Sequence, residues 1–416
     1  MKYQTLKGMR NIVGSKAEKF DFIESVAKSV FKKYNYNLLK IPVLEYASLF
    51  LRSIGETTDI VDKEMYVFED KGKRHIALRP EATAGIVKTF VEENLAQKFS
   101  SQKFYYIGQM FRQERPQSGR YREFTQIDCE YFGNPSVYAD IEIIMLAKEI
   151  LDFSGVNDTK ILINSIGCAE CRPAFVNKLR GLIAGSLSGL CEDCRVRYQR
   201  NPLRVLDCKI DGEKFSDVKL ELCDSCRKDF EQLQLRLSEY KIDFTVSGSL
   251  VRGLDYYTKT VFEIVSSALG SQNAVCAGGR YDTLVKELGG FSTPAVGFAI
   301  GVDRVVEIAE SLSFSSATSP VACFVVASGD EKITGSGFDI LSKLRAAGLT
   351  ADGGYFNKSL KSQMRHAGSL NAIYTLIIGA DEFAAGKIIL RNMRTKEQRE
   401  ILFSEAVQEI QKIFKK

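Results

Sequence analysis

The sequence contains no tryptophan and only two histidines, His75 and His366, among its 416 residues. Catalytic triads and histidine-ligated catalytic metal centres depend on imidazole, so this chain has little material for either. Neither the phosphate-binding pattern GxxxxGK[ST] nor the dinucleotide-binding pattern GxGxxG occurs in it. A bound nucleotide would therefore be held by arginine side chains and carboxylate-bound magnesium, not by a glycine-rich backbone loop.

Long apolar runs are also missing. No uninterrupted stretch approaches the ~20 residues that a membrane-spanning helix needs. The first twenty residues lack the apolar core of an export signal. We therefore expect a cytoplasmic protein without a membrane partner. Hydrophobic residues make up 45% of the chain and charged residues 26%, which excludes collagen-like and wholly disordered chains.

The positive charge is small and unevenly distributed. The formal net charge is +5, too little for a protein that coats DNA. Residues 321–416 hold 14 basic and 10 acidic side chains, and this surplus of 4 is most of the total. The last quarter of the chain is therefore predicted to contact a polyanion.

Ten cysteines accompany this composition, and without an export signal disulfides are not expected. The CxxC spacing lets two thiolates bind one tetrahedral metal ion. Two such pairs, for example those of Cys168, Cys171, Cys191 and Cys194, would make a four-thiolate zinc site. Small buried residues or free thiols on a surface insertion would account for the pattern equally. Three pairs have this spacing: Cys168/Cys171, Cys191/Cys194 and Cys223/Cys226.

Changes in composition predict the domain organisation. Residues 1–165 and 245–312 are predicted to form one strand-rich domain, which a cysteine-rich insertion, residues 166–244, interrupts. Residues 313–320 are predicted to be a serine-rich linker. Apolar runs alternate with helical segments in residues 321–416, which predicts a small α/β domain with a mostly parallel sheet.

A predicted hairpin at residues 104–132 carries polar side chains in an ordered pattern. Alternate residues of a strand share a face, so Gln126, Asp128 and Glu130 are expected to lie together. Four arginines, at positions 112, 115, 120 and 122, surround the turn. Guanidinium groups suit phosphate oxygens, although a solvated hairpin tip has the same composition. Polar Gln126 and Glu130 among apolar neighbours favour a functional site.

Two further arginines, Arg252 and Arg304, are candidates for binding. Arg252 precedes Gly253 at the end of a predicted apolar strand, and the paired Tyr256 and Tyr257 follow. Arg304 lies in the first turn of a predicted helix, where the helix dipole disfavours a cation by ~0.3–1 kcal/mol. Because such a violation of local rules is more often functional than accidental, Arg304 is predicted to bind an anion such as a nucleotide triphosphate.

Taken together, these segments resemble class II aminoacyl-tRNA synthetases and, among them, the histidyl-tRNA synthetase family. YNLLKIPVLEYASLF, MFRQERPQSGRYREFTQIDCE and GFAIGVDRVV resemble motifs 1, 2 and 3 of the class. SIGETTDIVDKEMYVFED and LRPEATAG are more specific, and LVRGLDYYTKTVFE and AGGRYDTLV are similar to the two signature stretches of the histidine enzyme. The last segment resembles a class IIa anticodon-binding domain.

The resemblance implies a fold and a reaction. The fold would be a multidomain α+β and α/β protein, in which a six-stranded antiparallel catalytic sheet carries an insertion domain and is followed by an α/β anticodon-binding domain. A homodimer of this chain would activate L-histidine with ATP and Mg²⁺ to histidyl-adenylate, releasing pyrophosphate. It would then transfer the histidyl group to the 3′ end of tRNA(His).

The resemblance also implies roles for individual residues. Arg252 would be the catalytic electrophile that bridges the substrate carboxylate and the α-phosphate. Arg115 and Gln117 would contact the acceptor end of the tRNA. Zinc is not a general feature of the family, which disfavours a metal at the cysteines, and no metal ligand is assigned. Histidine would be bound by Glu81, Thr83, Gln126, Glu130, Arg252, Tyr256 and Tyr257, and ATP by Arg112, Glu114, Arg120, Gln126, Arg280, Tyr281 and Arg304.

Three positions depart from the family pattern. Ala82 stands where glycine is usual, Thr125 where histidine or an aromatic residue is commoner, and Asp128 where glycine is commoner.

Two other functions remain as alternatives. One rival is a regulatory subunit of ATP phosphoribosyltransferase, which binds histidine without charging tRNA. Such proteins typically lose the catalytic arginine signature and the anticodon domain, and this chain has both. The other rival, a zinc-dependent RNA-binding protein, rests on the CxxC pairs.

Overall fold

The chain divides into two compact units, Met1–Ser316 and Ala317–Lys416. Among the residues that the structure describes, no helix is both long and apolar enough to cross a membrane. The predicted linker, residues 313–320, lies outside the described residues. The computed structural model describes residues 3–55, 58, 60–117, 119–206, 208, 210–215, 218, 220–269, 273–311 and 321–414.

The main sheet of the first unit has eight strands within the described residues, in the order β1-β5-β6-β11-β10-β9-β7-β8. The six from β5 to β7 in that order pair antiparallel, and the short β1 and β8 add parallel edges. The predicted six-stranded antiparallel sheet is confirmed, with two edge strands added. The strands of this unit are β1 (Asn37–Leu38), β2 (Leu44–Tyr46), β3 (Val67–Glu69), β4 (His75–Leu78), β5 (Gln102–Phe111), β6 (Glu123–Phe132), β7 (Thr159–Ser165), β8 (Phe244–Val246), β9 (Thr258–Ser266), β10 (Ala274–Arg280) and β11 (Ala295–Gly301).

Helices cover one face of this sheet with a continuous apolar core. The core is built from apolar residues of α1, α5, α8 and α10 together with inward-facing strand residues such as Ile127 and Cys129. The opposite face packs against α3 and carries a second core that includes Tyr106, Tyr256 and Tyr281. The helices of the unit are α1 (Ser15–Lys33), α2 (Ala47–Ile54), α3 (Thr83–Glu92), α4 (Leu95–Lys98), α5 (Val137–Phe153), α6 (Arg172–Ala184), α7 (Glu192–Arg200), α8 (Asp224–Glu239), α9 (Leu284–Glu287) and α10 (Val302–Ser311).

The predicted hairpin is formed by β5 and β6, which pair over their full length from Gln102 opposite Phe132 to Phe111 opposite Glu123. Odd-numbered residues of β6 such as Ile127 join the helix-covered core. Because side chains alternate along a strand, the even-numbered residues point to the other face of the sheet. That face is where the polar side chains of the hairpin meet α3.

The insertion has a small core of its own. Residues of α6 and α7 pack with apolar residues of the intervening turns, including Phe175, Leu179, Cys194 and Phe215. Short 3-10 turns at Pro202–Val205 and Gly212–Phe215 connect these helices to α8. The segment from α6 to Phe215 thus forms a folded substructure with cysteines among its core residues, whereas α8 packs on the main sheet.

The second unit has a mixed sheet in the order β13-β12-β14-β15-β16. We expected a mostly parallel sheet. Strand β12 does pair parallel with β13 and β14, but the expectation is wrong for the other half of the sheet, because β14–β15 and β15–β16 pair antiparallel. A tight turn after Asn392 makes β15 and β16 a hairpin, and the Asn392 side-chain oxygen accepts from the N–H groups of Arg394 and Thr395. The unit contains β12 (Cys323–Ala327), α11 (Glu331–Ala346), β13 (Ala351–Gly353), α12 (Leu360–Ser369), β14 (Tyr374–Ile378), α13 (Ala380–Ala384), β15 (Lys387–Asn392), β16 (Gln398–Leu402) and α14 (Ala406–Phe414).

Candidate active site

Buried polar side chains gather on the sheet over the even-numbered residues of β6, and we call this group of side chains the pocket. Glu130 lies opposite Gly297 of β11, and a methyl group at Gly297 would overlap the Glu130 carboxylate. The absence of a side chain at position 297 therefore leaves room for this carboxylate on the sheet surface.

Glu130 is held by hydroxyl groups from two other elements. Thr83 at the start of α3 donates its hydroxyl to Oε1 at 2.7 Å, and the Tyr281 hydroxyl donates to Oε2. Burial raises the pKa of Glu130 to about 8, although the two hydroxyl donors act in the opposite direction. A carboxyl group so placed favours a ligand that brings an N–H donor or a positive charge.

Glu81 lies at the beginning of α3 and caps it. Its Oε2 accepts from the Thr83 N–H at 2.7 Å and its Oε1 from the Ala84 N–H at 2.9 Å. Burial raises the pKa of this carboxyl, while the two backbone donors lower it. Each oxygen of a carboxylate has two acceptor sites, so Glu81 can still bind an ammonium group.

Gln126 and Asp128 present acceptor atoms without partners. Within the described residues, Gln126 Oε1 and Asp128 Oδ2 are buried and make no hydrogen bond. Burial, followed by the negative charges of Glu130 and Glu81, raises the pKa of Asp128 well above its usual range. Because unsatisfied buried polar atoms are costly, this pair indicates a ligand that supplies donors. Asp128 was not among the predicted site residues, although its alternation with Gln126 and Glu130 was the signal that could have included it.

Two tyrosines join this pocket from the loop before β9. The rings of Tyr256 and Tyr257 lie 4.7 Å apart, and the Tyr256 ring meets Tyr281 edge-on at 5.6 Å. Burial raises the pKa of Tyr257 most, the charge of Arg252 lowers it, and that of Glu130 raises it. Tyr257 is therefore close enough to feel both charged side chains, which brings Arg252 into the same pocket.

Arg252 is positioned by an ion pair and by its backbone. Its Nη1 lies 2.8 Å from Oε1 of Glu263 on β9, and its side chain is 20% exposed. Its carbonyl accepts from Arg204 Nη1 of the insertion at 3.1 Å. The expectation that Arg252 ends a strand is wrong, because residues 247–257 form an irregular loop. Glu263 was also not predicted, since nothing in the sequence pairs it with a particular arginine.

Three arginines, Arg112, Arg120 and Arg304, lie close enough to act electrostatically on one another. Arg304 is, as predicted, in the first turn of α10, and its Nη1 donates to the Ala274 carbonyl. Burial, then the positive charge of Arg120 and more weakly that of Arg112, lowers the pKa of Arg304. Glu114, 3.1 Å from Arg120 Nη1, partly offsets the mutual repulsion. Such a cluster favours a polyanionic ligand.

The hairpin tip is docked on α10. Gly119 donates its N–H to Glu307 at 2.7 Å, and the Tyr121 hydroxyl donates to the same carboxylate at 3.0 Å. Arg115 and Gln117 are exposed beside it. Both side chains are therefore available to a large ligand in solution.

Arg280 and Tyr281, which were predicted to bind ATP, contact other protein groups in the structure. Arg280 forms a buried ion pair with Asp140 of α5, and its remaining N–H groups donate to Asp282 and to the carbonyls of Asn134 and Ser136. Consecutive strand residues face opposite sides of a sheet, so Arg280 points to the helix-covered face while Tyr281 points to the pocket. We therefore do not include Arg280 in the ATP site. We group Tyr281 with Glu130, to which its hydroxyl donates.

The cysteine pairs do not combine as expected. Cys168 and Cys171 do not meet Cys191 and Cys194, and each pair meets other residues that could share a metal ion. The two groups are Cys168, Cys171, Cys223 and Cys226, and Cys191, Cys194, Cys208 and Asp211.

Known proteins resemble the chain over nearly its whole length. A family model described as Histidyl-tRNA synthetase matches residues 8–171 and 209–305, and one described as Anticodon binding domain matches residues 321–413. The histidine–tRNA ligase of Elusimicrobium minutum is 45% identical over 409 residues, covering 98% of this chain and 98% of that protein. That of Endomicrobium trichonymphae is 45% identical over 414 residues, covering 97% of this chain and 100% of that protein.

Solved structures give the same grouping. The apo histidyl-tRNA synthetase of S. aureus has a TM-score of 0.83 at 29% identity, covering 98% of this chain and 99% of that one. An ATP phosphoribosyltransferase regulatory subunit/histidyl-tRNA synthetase from Bacillus halodurans C has a TM-score of 0.67 at 19% identity, covering 91% of this chain and 99% of that one. At that identity the second likeness shows the fold alone.

Proposed function

Since this chain belongs to the histidyl-tRNA synthetase family and is an aminoacyl-tRNA ligase for histidine, we propose that the buried pocket on its sheet is where histidine and ATP react. The enzyme activates histidine with ATP to histidyl-adenylate, with release of pyrophosphate, and transfers the histidyl group to the 3′ end of tRNA(His). We assign the reaction to the cytoplasm, where its tRNA substrate is used.

The observation that carries the site assignment is the set of buried acceptors. Gln126 Oε1 and Asp128 Oδ2 make no hydrogen bond within the described residues, and the Glu81 and Glu130 carboxylates lie beside them. Histidine supplies matching donors at both ends, an ammonium group and an imidazole N–H. A pocket lined by paired polar groups rejects apolar analogues far more strongly than an apolar pocket does.

The two ends of histidine go to different parts of the pocket. The α-amino group binds Glu81, Thr83 and Gln126, where α3 begins and a carboxylate faces it. The imidazole binds Glu130 and Tyr257, with the Tyr256 and Tyr281 rings as apolar walls. Burial of Glu130 supports this assignment, because its raised pKa falls again when a cationic or N–H-donating ring arrives.

ATP binds beside histidine, on the arginine cluster. Arg112 and Arg304 contact the α- and γ-phosphates, and Arg120 adds a third guanidinium. The carboxylates of Glu114 and Glu263 both act electrostatically on Arg304, so they lie in the same region. Oxygen ligands of this kind suit Mg²⁺, and we assign its binding to Glu114 and Glu263 together with the phosphates. When bound, Mg²⁺ neutralises charge on the phosphates.

Arg252 acts between the two substrates. A histidine carboxylate oxygen attacks the α-phosphorus, and the bond from that phosphorus to the pyrophosphate oxygen breaks. Negative charge builds on the α-phosphate during this step, and a guanidinium fork can bind it and the carboxylate together. No general base is needed, since the attacking carboxylate is already ionised. Catalysis by positioning and charge is sufficient for a nucleotidyl transfer.

The tRNA is bound at two places. Arg115 and Gln117, exposed on the hairpin tip, contact its acceptor end. The second unit, which matches an anticodon-binding domain and holds the basic surplus of the chain, contacts its anticodon.

A truncation tests the division of labour. The full chain is expected to exchange labelled pyrophosphate into ATP only when histidine is present. Residues 1–311 should keep this exchange within about threefold, while the second-order rate of tRNA charging should fall at least roughly tenfold because phosphate contacts are lost. Filter assays of exchange and of charging measure the two steps.

Each outcome bears on a separate claim. Absence of histidine-dependent exchange by the full chain would contradict the proposed pocket. Unchanged charging by residues 1–311 would remove the second unit from tRNA binding.

We also propose that the enzyme is a homodimer. Six apolar side chains of the first unit are exposed: Leu38, Val43, Leu44, Tyr46, Val67 and Phe68. Leu44, Tyr46 and Phe68 share one face of a small sheet, because Tyr46 and Phe68 both lie opposite Ile76 and alternate strand residues face the same way. Exposed apolar groups of this kind mark protein interfaces, and four of these residues lie in the small sheet β2-β4-β3.

Charge placed in this group should separate the subunits. Leu44→Glu combined with Phe68→Glu is expected to lower the mass in light scattering from two chains to one, because a buried unpaired carboxylate opposes association. Leu235→Glu, which changes an exposed leucine of α8, should remain a dimer. A wild-type mass of one chain would contradict the proposal.

A further inference from the structure

The insertion brings eight potential metal ligands into two compact groups. In the first, the sulfurs of Cys168, Cys171, Cys223 and Cys226 all lie within 4.8 Å of one another, and the same limit holds for the ligand atoms of Cys191, Cys194, Cys208 and Asp211 in the second. We refer to these as the first and the second cysteine cluster. Each combines a CxxC pair with ligands from another part of the chain, and the first joins residues 55 positions apart.

The sulfur separations fit a tetrahedral ion. With zinc–sulfur bonds of ~2.3 Å, the edges of a regular tetrahedron are about 3.8 Å. Cys168 lies 3.5 Å from Cys171 and 3.9 Å from Cys223, sulfur to sulfur. In the second cluster the sulfurs of Cys191 and Cys208 are 3.7 Å apart. A disulfide requires ~2.05 Å, and all ten cysteines are free.

Helix N-termini lie at both clusters. Cys223 is the N-cap of α8 and Cys191 is the N-cap of α7, and in each helix the second cysteine of the CxxC pair is in the first turn. Cys171 is the N-cap of α6. The positive ends of three helix dipoles therefore favour thiolates, the form that binds metal.

Asp211 completes the second cluster. It accepts from the Cys191 N–H at 2.8 Å and pairs with Lys214 at 2.6 Å. Three thiolates, one carboxylate and a divalent cation leave a net charge of −2, and Lys214 offsets part of it. A carboxylate oxygen is an accepted zinc ligand beside thiolates.

The two clusters differ in how far the family model covers them. The match to the histidyl-tRNA synthetase family stops at residue 171 and resumes at residue 209. Cys191, Cys194 and Cys208 lie in the gap, whereas Asp211 and all four cysteines of the first cluster lie in the matched segments.

Segments next to the clusters hold the loop of the catalytic arginine. Arg172, which follows Cys171, donates to the Tyr257 carbonyl. Between Cys194 and Cys208, Arg204 donates to the Arg252 carbonyl at 3.1 Å. Asn201 of the same segment donates to the Asp255 carboxylate at 2.8 Å. Whatever fixes the clusters therefore fixes the backbone around Arg252.

We propose that each cluster binds one structural zinc ion, and that the two ions hold the insertion segments that position the Arg252 loop. Thiolate ligands favour zinc over hard divalent ions such as Mg²⁺ and Ca²⁺, and ligand sets without an open position are typical of structural sites. The ions take no part in the chemistry and act through these backbone contacts.

Metal analysis of the full-length protein, purified without chelator, tests this directly. Inductively coupled plasma and native mass spectrometry should find two zinc ions per chain, and cobalt substitution should give the strong d–d absorption of tetrahedral thiolate-bound cobalt. Wild-type protein with no zinc, or with iron in its place, would overturn the proposal without the need for any variant.

Variants assign the ions to the clusters. Cys168→Ser and Cys208→Ser change partly exposed thiols, one in each cluster, and each should lower the zinc content from two ions to one. Cys323→Ser, in the second unit and outside both clusters, should retain two. A content of two zinc ions in Cys168→Ser or in Cys208→Ser would refute the site at that cluster.

The effect on the loop has its own readout. Removal of zinc by a chelator should slow histidine-dependent exchange roughly tenfold or more, since small misplacements of a catalytic group are costly, and should increase protease cleavage of the insertion. Zinc addition should reverse both effects. Loss of zinc with unchanged exchange and unchanged cleavage would overturn the positioning role, whereas absence of exchange in the zinc-loaded enzyme would count against the proposed function instead.

Discussion

Replacing Arg252 by alanine is expected to slow histidine-dependent pyrophosphate exchange roughly 100- to 10,000-fold. The guanidinium lies beside Glu263 and acts on Tyr257, which puts it between the proposed histidine and phosphate sites. Because the negative charge it stabilises develops in the transition state, the loss should appear mainly in kcat. Exchange rates at varied histidine and ATP concentrations separate kcat from KM.

Variants at neighbouring and remote positions control for folding. Arg252→Lys keeps the charge but not the planar fork, so its activity should lie between those of wild type and Arg252→Ala. Arg74→Ala breaks an exposed arginine–aspartate pair on the surface and should leave exchange unchanged. The loop backbone is held through the Arg252 carbonyl, so thermal unfolding and tRNA binding should be preserved. A near-normal exchange rate in Arg252→Ala would refute its catalytic role.

Replacing Glu130 by glutamine should mainly impair histidine recognition. A hydrogen bond to a charged group contributes ~1.5–3 kcal/mol, so the KM for histidine should rise about 10- to 150-fold while that for ATP changes little. Glu123→Gln, on the opposite face of the same strand, is the matched control. An unchanged KM for histidine would show that Glu130 does not contact the ring.

The same variant has a pH signature in stability. Burial raises the pKa of Glu130 from 4.5 to about 8 in the folded protein, so between these values the folded state retains a proton that the unfolded state has lost. The contribution of this group to the free energy of unfolding therefore falls as pH rises through that window and is constant above it. Glu130→Gln lacks this titration.

Denaturant unfolding measures the effect. Relative to wild type, Glu130→Gln should gain stability progressively from about pH 5 to pH 8, by a total on the order of 1 to 4 kcal/mol. The comparison between the two proteins cancels the other titrating groups to first order. A stability difference that is independent of pH would contradict the buried, proton-retaining state of Glu130.

The sequence predicted the residues whose environment follows from local geometry. Gln126 and Glu130 were found because strand alternation puts them on one face, and Arg304 because a cation in the first turn of a helix is unusual. The antiparallel hairpin followed from two apolar strands around a charged turn. These features depend only on residues near in sequence.

Features that depend on long-range pairing could not be derived from the local sequence pattern. Nothing in the local pattern shows which face of β10 is covered by α5, so Arg280 was given to ATP although Asp140 binds it. The spacing of the CxxC pairs did not reveal that Cys168 meets Cys223. Asp128 was placed on the same face as Gln126 and Glu130 but was given no role, because only the structure shows that its Oδ2 is buried without a hydrogen bond within the described residues.

A crystal structure with histidine and a non-hydrolysable ATP analogue is the decisive measurement. We expect the α-amino group at Glu81 and Gln126, the imidazole at Glu130, and the Arg252 guanidinium within hydrogen-bonding distance of both the carboxylate and the α-phosphate. Histidine bound elsewhere, or Arg252 remaining on Glu263 and remote from both substrates, would contradict the site described above.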